Sequence, residues 1–137
     1  QPYSNMNEWG RHVEGACAEF ALAKFLNVAW EPAIGKPGGP DLRYYGHRIE
    51  VKWSSYQKPG ADLYLPRNTD RSAIAVLLKG KGPNYIICGW TYAADVMIQE
   101  NWNVTPRGEY KYVISENELM PIEILESEIL RANAIFA

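Results

Sequence analysis

Three acids and one lysine carry the chemistry that these 137 residues can offer: Glu19, Asp41, Glu50 and Lys52. Glu50-Val51-Lys52 lies in the run Arg48 to Ser54, whose alternation reads as a β-strand. Alternate side chains of a strand share a face, so Glu50 and Lys52 lie together, and Ile49, Val51 and Trp53 line the apolar face behind them. Asp41 to Tyr45 reads as a preceding strand, with Gly46-His47 as the two-residue turn of a hairpin. Counting outward from that turn, Tyr45 pairs with Arg48, Arg43 faces Glu50 and Asp41 faces Lys52. Asp41, Glu50 and Lys52 then converge on one patch. Two diagonal carboxylates can share a divalent cation, with the Val51 carbonyl as a further oxygen ligand. The same register also allows plain cross-strand ion pairs, Arg43 with Glu50 and Lys52 with Asp41, and the spacing alone leaves both readings open.

The third acid comes from the first helix, predicted over Asn7 to Asn27 from its Ala, Leu, Phe, Glu and Lys content and lack of proline. At a 3.6-residue period Glu19 falls on an arc with Gly15, Ala16, Leu22, Ala23 and Leu26, the arc that packs on a sheet. Arg11, Glu14 and Lys24 fall toward the other side. A carboxylate on a packing face needs a hydrogen bond, an ion pair or a metal, which singles out Glu19, unless it lies at the edge of that face and reaches water.

The elements that hold these groups follow an α/β order. A breaker-rich loop, Glu31 to Pro40, separates the helix from the hairpin, and a second loop, Gln57 to Arg71, contains a short strand at Leu63 to Leu65. Ser72 to Lys79 and Asn84 to Trp90 read as buried strands around the turn Gly80-Lys81-Gly82-Pro83. Thr91 is placed to cap a short helix to about Gln99, and Tyr110 to Ile114 is a further strand. Ser115 with Glu118 has the form of a capping box, and Ile122 to Ala134 reads as a closing helix. The length predicts a single domain over residues 1–137.

Composition narrows the function classes. Apolar residues make up 47% and charged residues 22%, a globular balance that excludes a disordered chain. The longest apolar stretch, Ala73 to Leu78, has the length of a buried strand, so no membrane association is expected. Net charge is -2 and the pI about 5.7, so any grip on nucleic acid comes from a local cluster or from a partner protein. Cys17 and Cys88 sit in apolar stretches and read as reduced core residues of an intracellular, cytoplasmic protein. No cysteine and histidine spacing fits zinc, and Gly35-Lys36-Pro37-Gly38-Gly39 lacks the Gly-Lys-Ser/Thr ending of a phosphate-binding loop.

The constellation resembles the PD-(D/E)XK nuclease superfamily. Pro40-Asp41 matches its PD half, Glu50-Val51-Lys52 its ExK half, and Ala18 to Leu26, AEFALAKFL, is similar to the leading helix of the Holliday-junction-resolvase and phage-type branches. The matching motifs span roughly Glu14 to Ser54; the later strands fit loosely. The resemblance implies a restriction-endonuclease-like αβββαβ core, a central mixed sheet flanked by helices with the site at one edge. It implies metal-dependent hydrolysis of DNA phosphodiesters, with Mg²⁺ as cofactor and Mn²⁺ as substitute, held by Asp41, Glu50, the Val51 carbonyl and Glu19. Lys52 orients the attacking water or stabilises developing negative charge. Lys36 and Gly39 before the acid, and Tyr56 and Lys58 after the strand, are candidate substrate contacts, with Arg67, Arg71 and Tyr64 further along the second loop. A homodimer would supply two sites for cutting two strands. Two other readings stand beside this one: a non-catalytic domain of the same fold that binds nucleic acid or a partner protein, and an unrelated α/β domain with surface ion pairs.

Overall fold

The computed structural model describes residues 8–30, 42–55 and 60–136. Helix α1 (Glu8–Leu26) leads. It stops where Asn27 adopts a left-handed conformation (φ 58°), with Val28 N–H donating to the Ala23 carbonyl and Asn27 N–H to that of Lys24. Asparagine tolerates that conformation, and the paired bonds satisfy carbonyls the helix leaves open.

Strands β1 (Leu42–Tyr44) and β2 (His47–Ser54) form a hairpin, and β3 (Asp62–Leu65) follows. Strands β4 (Ile74–Lys81) and β5 (Asn84–Tyr92) form a second hairpin. A four-residue helix α2 (Ala93–Val96) leads to β6 (Trp102–Val104) and β7 (Tyr110–Ser115). A 3-10 turn at Ile122–Ile124 then runs into α3 (Leu125–Phe136). The architecture is mixed α/β: a mixed sheet ordered β1-β2-β4-β5, and an antiparallel sheet ordered β3-β7-β6.

Strand β4 explains the layering. Its run Ile74 to Leu78 is buried on both faces, and period-2 alternation splits it between two cores. Ile74, Val76 and Leu78 join Ile49, Trp90, the α1 residues Ala18, Leu22 and Ala23, and the α3 residues Leu125 and Ile129. Ala75 and Leu77 point the other way, into a cluster with Leu63, Leu65 and Ile114 of the second sheet and Ala93 and Val96 of α2. Helices therefore cover one face of the mixed sheet and a second sheet covers the other. The expected flanking by helices is met by α1 and α3 on one face, while on the other α2 packs beside a second sheet that the sequence did not announce. The described part of the β2-to-β4 crossover carries β3 and turns, so the strand that enters the crossover leaves to build the second layer.

Several local expectations shift. The first hairpin turns at Tyr45-Gly46, not Gly46-His47, with φ of 50° and 82°. A type I′ turn needs left-handed backbone at both central residues, and glycine fits its second place best. Tyr45 is held there by its hydroxyl, which donates to Glu126 Oε2 at 2.9 Å. Thr91 lies inside β5 and caps nothing; the expected helix to Gln99 is cut to α2 and a separate 3-10 turn at Gln99–Asn101. The capping box at Ser115 and Glu118 forms, but on a 3-10 turn, and regular helix begins only at Leu125. Cys17 is exposed rather than in the core. Glu14 does not face solvent alone: its carboxylate accepts from the Tyr85 hydroxyl at 2.6 Å and from Gly82 N–H at 3.3 Å, docking α1 on the β4–β5 hairpin.

Candidate functional site

The hairpin turn sets the register that aligns the charged face of β2. Tyr44 pairs with His47, Arg43 with Arg48 and Leu42 with Ile49. Moving the turn by one residue moves each partner by two, so the side-chain faces are kept while the expected pairs are not. Arg43 faces Arg48 rather than Glu50. Two guanidinium groups directly opposed repel unless acids flank them, and acids do. Glu50 Oε1 lies 3.6 Å from Arg48 Nε, and Glu50 Oε2 lies 3.8 Å from Lys52 Nζ. On the other side Asp70 is held below the usual carboxylate range, first by hydrogen bonds from the Ser72 hydroxyl and amide and then by Arg48 and Arg43. The loop after β3 thus returns an acid to the hairpin, a convergence with no local pattern to announce it.

Glu50 and Lys52 emerge on the same face, as alternation requires, with side-chain exposures of 16% and 30%. Behind them Ile49 is fully buried, Val51 and Trp53 pack on the helix-side core, and the Trp53 indole donates to the Gly80 carbonyl at 2.9 Å. In an antiparallel hairpin closed by a two-residue turn, the closing pair exchanges both backbone bonds. Alternation from His47 then directs the Val51 carbonyl toward the β1 side of the strand, where the described ladder ends at Leu42–Ile49. Glu19 is half-buried on α1, whose Ala18, Leu22 and Ala23 pack on the apolar face of β2, opposite the face of Glu50 and Lys52.

Asp41, Lys36, Gly39, Tyr56 and Lys58 lie outside the described residues, as does Pro40. Among the described residues no group of three or more His, Cys, Asp or Glu side chains is placed to hold a metal ion. The donors described are hard oxygens, the Glu50 carboxylate and the Val51 carbonyl, the type that suits Mg²⁺. Of the loop residues, Arg71 is tied to the fold, donating to the Met97 carbonyl at 2.9 Å, and Arg67 is exposed.

Beside this face runs a cleft of about 610 Å³ between the end of β2 and the second sheet. Lys52, Ser54 and Leu77 line one wall; Asp62, Tyr64 and Lys111 line the other, with Arg107 and Glu109 from the β6–β7 turn at its rim. The Tyr64 hydroxyl donates to Asp62 Oδ2 at 3.5 Å. Asp62, Arg107 and Lys111 were not singled out by the sequence pattern. The signal available was Pro106-Arg107-Gly108 between two β-type runs, a hairpin signature weakened by the three-residue length of β6.

A second ionic centre holds the two sheets together. Lys79, 7% exposed, places Nζ 3.0 and 3.2 Å from the two oxygens of Glu116. Glu116 also accepts from Gly60 N–H at 2.6 Å and Ala61 N–H at 3.0 Å. Burial raises its pKa, but the hydrogen bonds from Lys79, Gly60, Ala61 and the Cys88 thiol outweigh that and leave it lowered. Burial and then Glu116 push the Cys88 thiol up to about 12, so it stays protonated. Gly89 (φ 147°) sits beside Cys88 where the β4–β5 register shifts, and a Cβ there would lie 2.7 Å from Leu119 Cβ and from the Met120 carbonyl oxygen.

No protein-family model, no curated protein and no solved structure matches the chain. Among the described residues no helix is long and apolar enough to cross a membrane.

Proposed function

We propose that the chain is a metal-dependent nuclease that hydrolyses DNA phosphodiester bonds at the charged face of β2, in a restriction-endonuclease-like arrangement. The observation that supports this best is the pairing of Glu50 with Lys52 on one strand face, with Lys52 lining a cleft and a buried apolar face behind. Leu42, the residue after Asp41, faces Ile49, the residue before Glu50. Asp41, Glu50 and the Val51 carbonyl are the groups proposed to hold Mg²⁺, with Glu19 of α1 proposed to ligate directly or through water. When bound, the cation supplies Lewis acidity toward water and the scissile phosphate. Lys52 contributes a fixed positive charge beside the phosphate, where negative charge develops.

A second reading, a domain of the same fold that binds nucleic acid or a partner without cutting, is favoured by the two cations within 4 Å of the Glu50 carboxylate, which neutralise it without a metal. Calorimetric titration of Mn²⁺ into the wild type, Asp41→Asn and Glu50→Gln separates the two. The nuclease reading expects saturable binding, weakened in each variant by at least the roughly 10–100-fold that loss of a supporting group costs a metal site. No saturable binding to the wild type overturns it.

A further inference from the structure

The cleft beside Lys52 has the volume to take one nucleotide. Pockets of about 300–1,000 Å³ enclose small ligands, and this one measures about 610 Å³. Its lining fits the parts of a nucleotide. Lys52, Arg107 and Lys111 supply cations for phosphate, the Tyr64 ring supplies a flat apolar surface, and Asp62 and Glu109 supply acceptors for exocyclic amines. Tyr64 is also oriented: its ring is half-buried and its hydroxyl is held by Asp62. Lys52, the residue that would stand beside the scissile phosphate, lines the cleft. A base stacked in a duplex cannot enter such a pocket unless it leaves the stack.

We infer that the cleft takes an unpaired DNA nucleotide next to the bond that is cut, so that the substrate class is DNA with a single-stranded or splayed segment. The location of the cut rests on the nuclease reading of Lys52; binding of the unpaired nucleotide is read separately. Arg107 and Lys111 contact phosphate, and Tyr64 stacks on the base.

The test is fluorescence anisotropy of a labelled 12-nucleotide single strand and of the same sequence as a blunt duplex, in EDTA so that nothing is cut. The wild-type chain is expected to bind the single strand at least about tenfold more tightly than the duplex. Tyr64→Leu and Arg107→Ala should each weaken single-strand binding by about tenfold and leave duplex binding unchanged, while Tyr64→Phe stays near wild type. Arg107 is exposed, so Arg107→Ala keeps the test valid where Tyr64→Leu fails to fold. Equal affinity for the two DNAs, or wild-type affinity in Arg107→Ala, overturns the proposal. Single-strand preference without Mg²⁺-dependent cutting sinks the nuclease reading and spares the cleft; cutting without that preference does the reverse.

Discussion

The molecule contains two lysine–glutamate pairs whose acids are about equally covered but whose lysines differ in burial and whose acids differ in partners. Lys79 and Glu116 meet at 3.0 Å in the interior, and the same carboxylate takes two backbone amides. Lys52 and Glu50 lie 3.8 Å apart on a strand face, the lysine 30% and the acid 16% exposed, with Arg48 as a second cation. Burial of the first pair is tolerable because its acceptors are matched, and breaking it leaves a charge stranded in low dielectric. The second pair keeps access to water and to a cleft, which a substrate-handling pair requires. The comparison separates a carboxylate that ties two sheets together from one proposed to meet a ligand.

Lys79→Met is expected to lower unfolding free energy by about 4 kcal/mol, the cost of orphaning a buried partner. Lys52→Met should change it by less than about 0.5 kcal/mol. Urea denaturation of both variants checks this, and equal effects would erase the distinction. Gly89→Ala is expected to cost about 3 kcal/mol, because the new Cβ meets Leu119 and the Met120 carbonyl at 2.7 Å on a left-handed backbone. Since Gly89 neighbours Cys88, the thiol bonded to Glu116, that variant probes the structural pair from its other side.

Acid should affect the structural pair in a defined direction. The Glu116 pKa is lowered in the fold, so its contribution is fully present above the unfolded carboxylate value, about 4.3, and is lost as pH falls through the folded one. The stability gap between wild type and Glu116→Gln is therefore flat above about pH 5 and narrows on acidification. A gap that widens in acid contradicts the account. A smaller effect belongs to the apolar side of β2: Trp53→Phe removes the bond to the Gly80 carbonyl and should cost about 1 kcal/mol, read by thermal melting.

What could be read from the chain followed from short-range periodicity. Alternation in β2 separates Ile49, Val51 and Trp53 from Glu50 and Lys52, and the structure keeps that division. The run of α1 is legible from its residues, within one residue at each end. What escaped depends on distant partners. Glu116 and Lys79 are 37 residues apart, and neither has a local reason to be buried. The second sheet joins β3 to β7 across most of the chain's later half, so a four-residue strand read as part of a loop gave no sign of a layer. Glu14 went to the wrong side because a long carboxylate can reach the tip of a hairpin from the flank of its helix. The register slipped because tyrosine is a poor guide to the first place of a type I′ turn, and Glu126, far along the sequence, stabilises it there.

The central claim is that Glu50 and Lys52 serve cleavage rather than stability. The most direct measurement is conversion of supercoiled plasmid to nicked circles by wild type and Lys52→Ala, in Mg²⁺ and in EDTA, with circular dichroism confirming that both proteins are folded. The account predicts Mg²⁺-dependent nicking by the wild type and a loss of at least about 100-fold in the variant. Nicking by Lys52→Ala at the wild-type rate, or no nicking by the wild type in Mg²⁺, would contradict it.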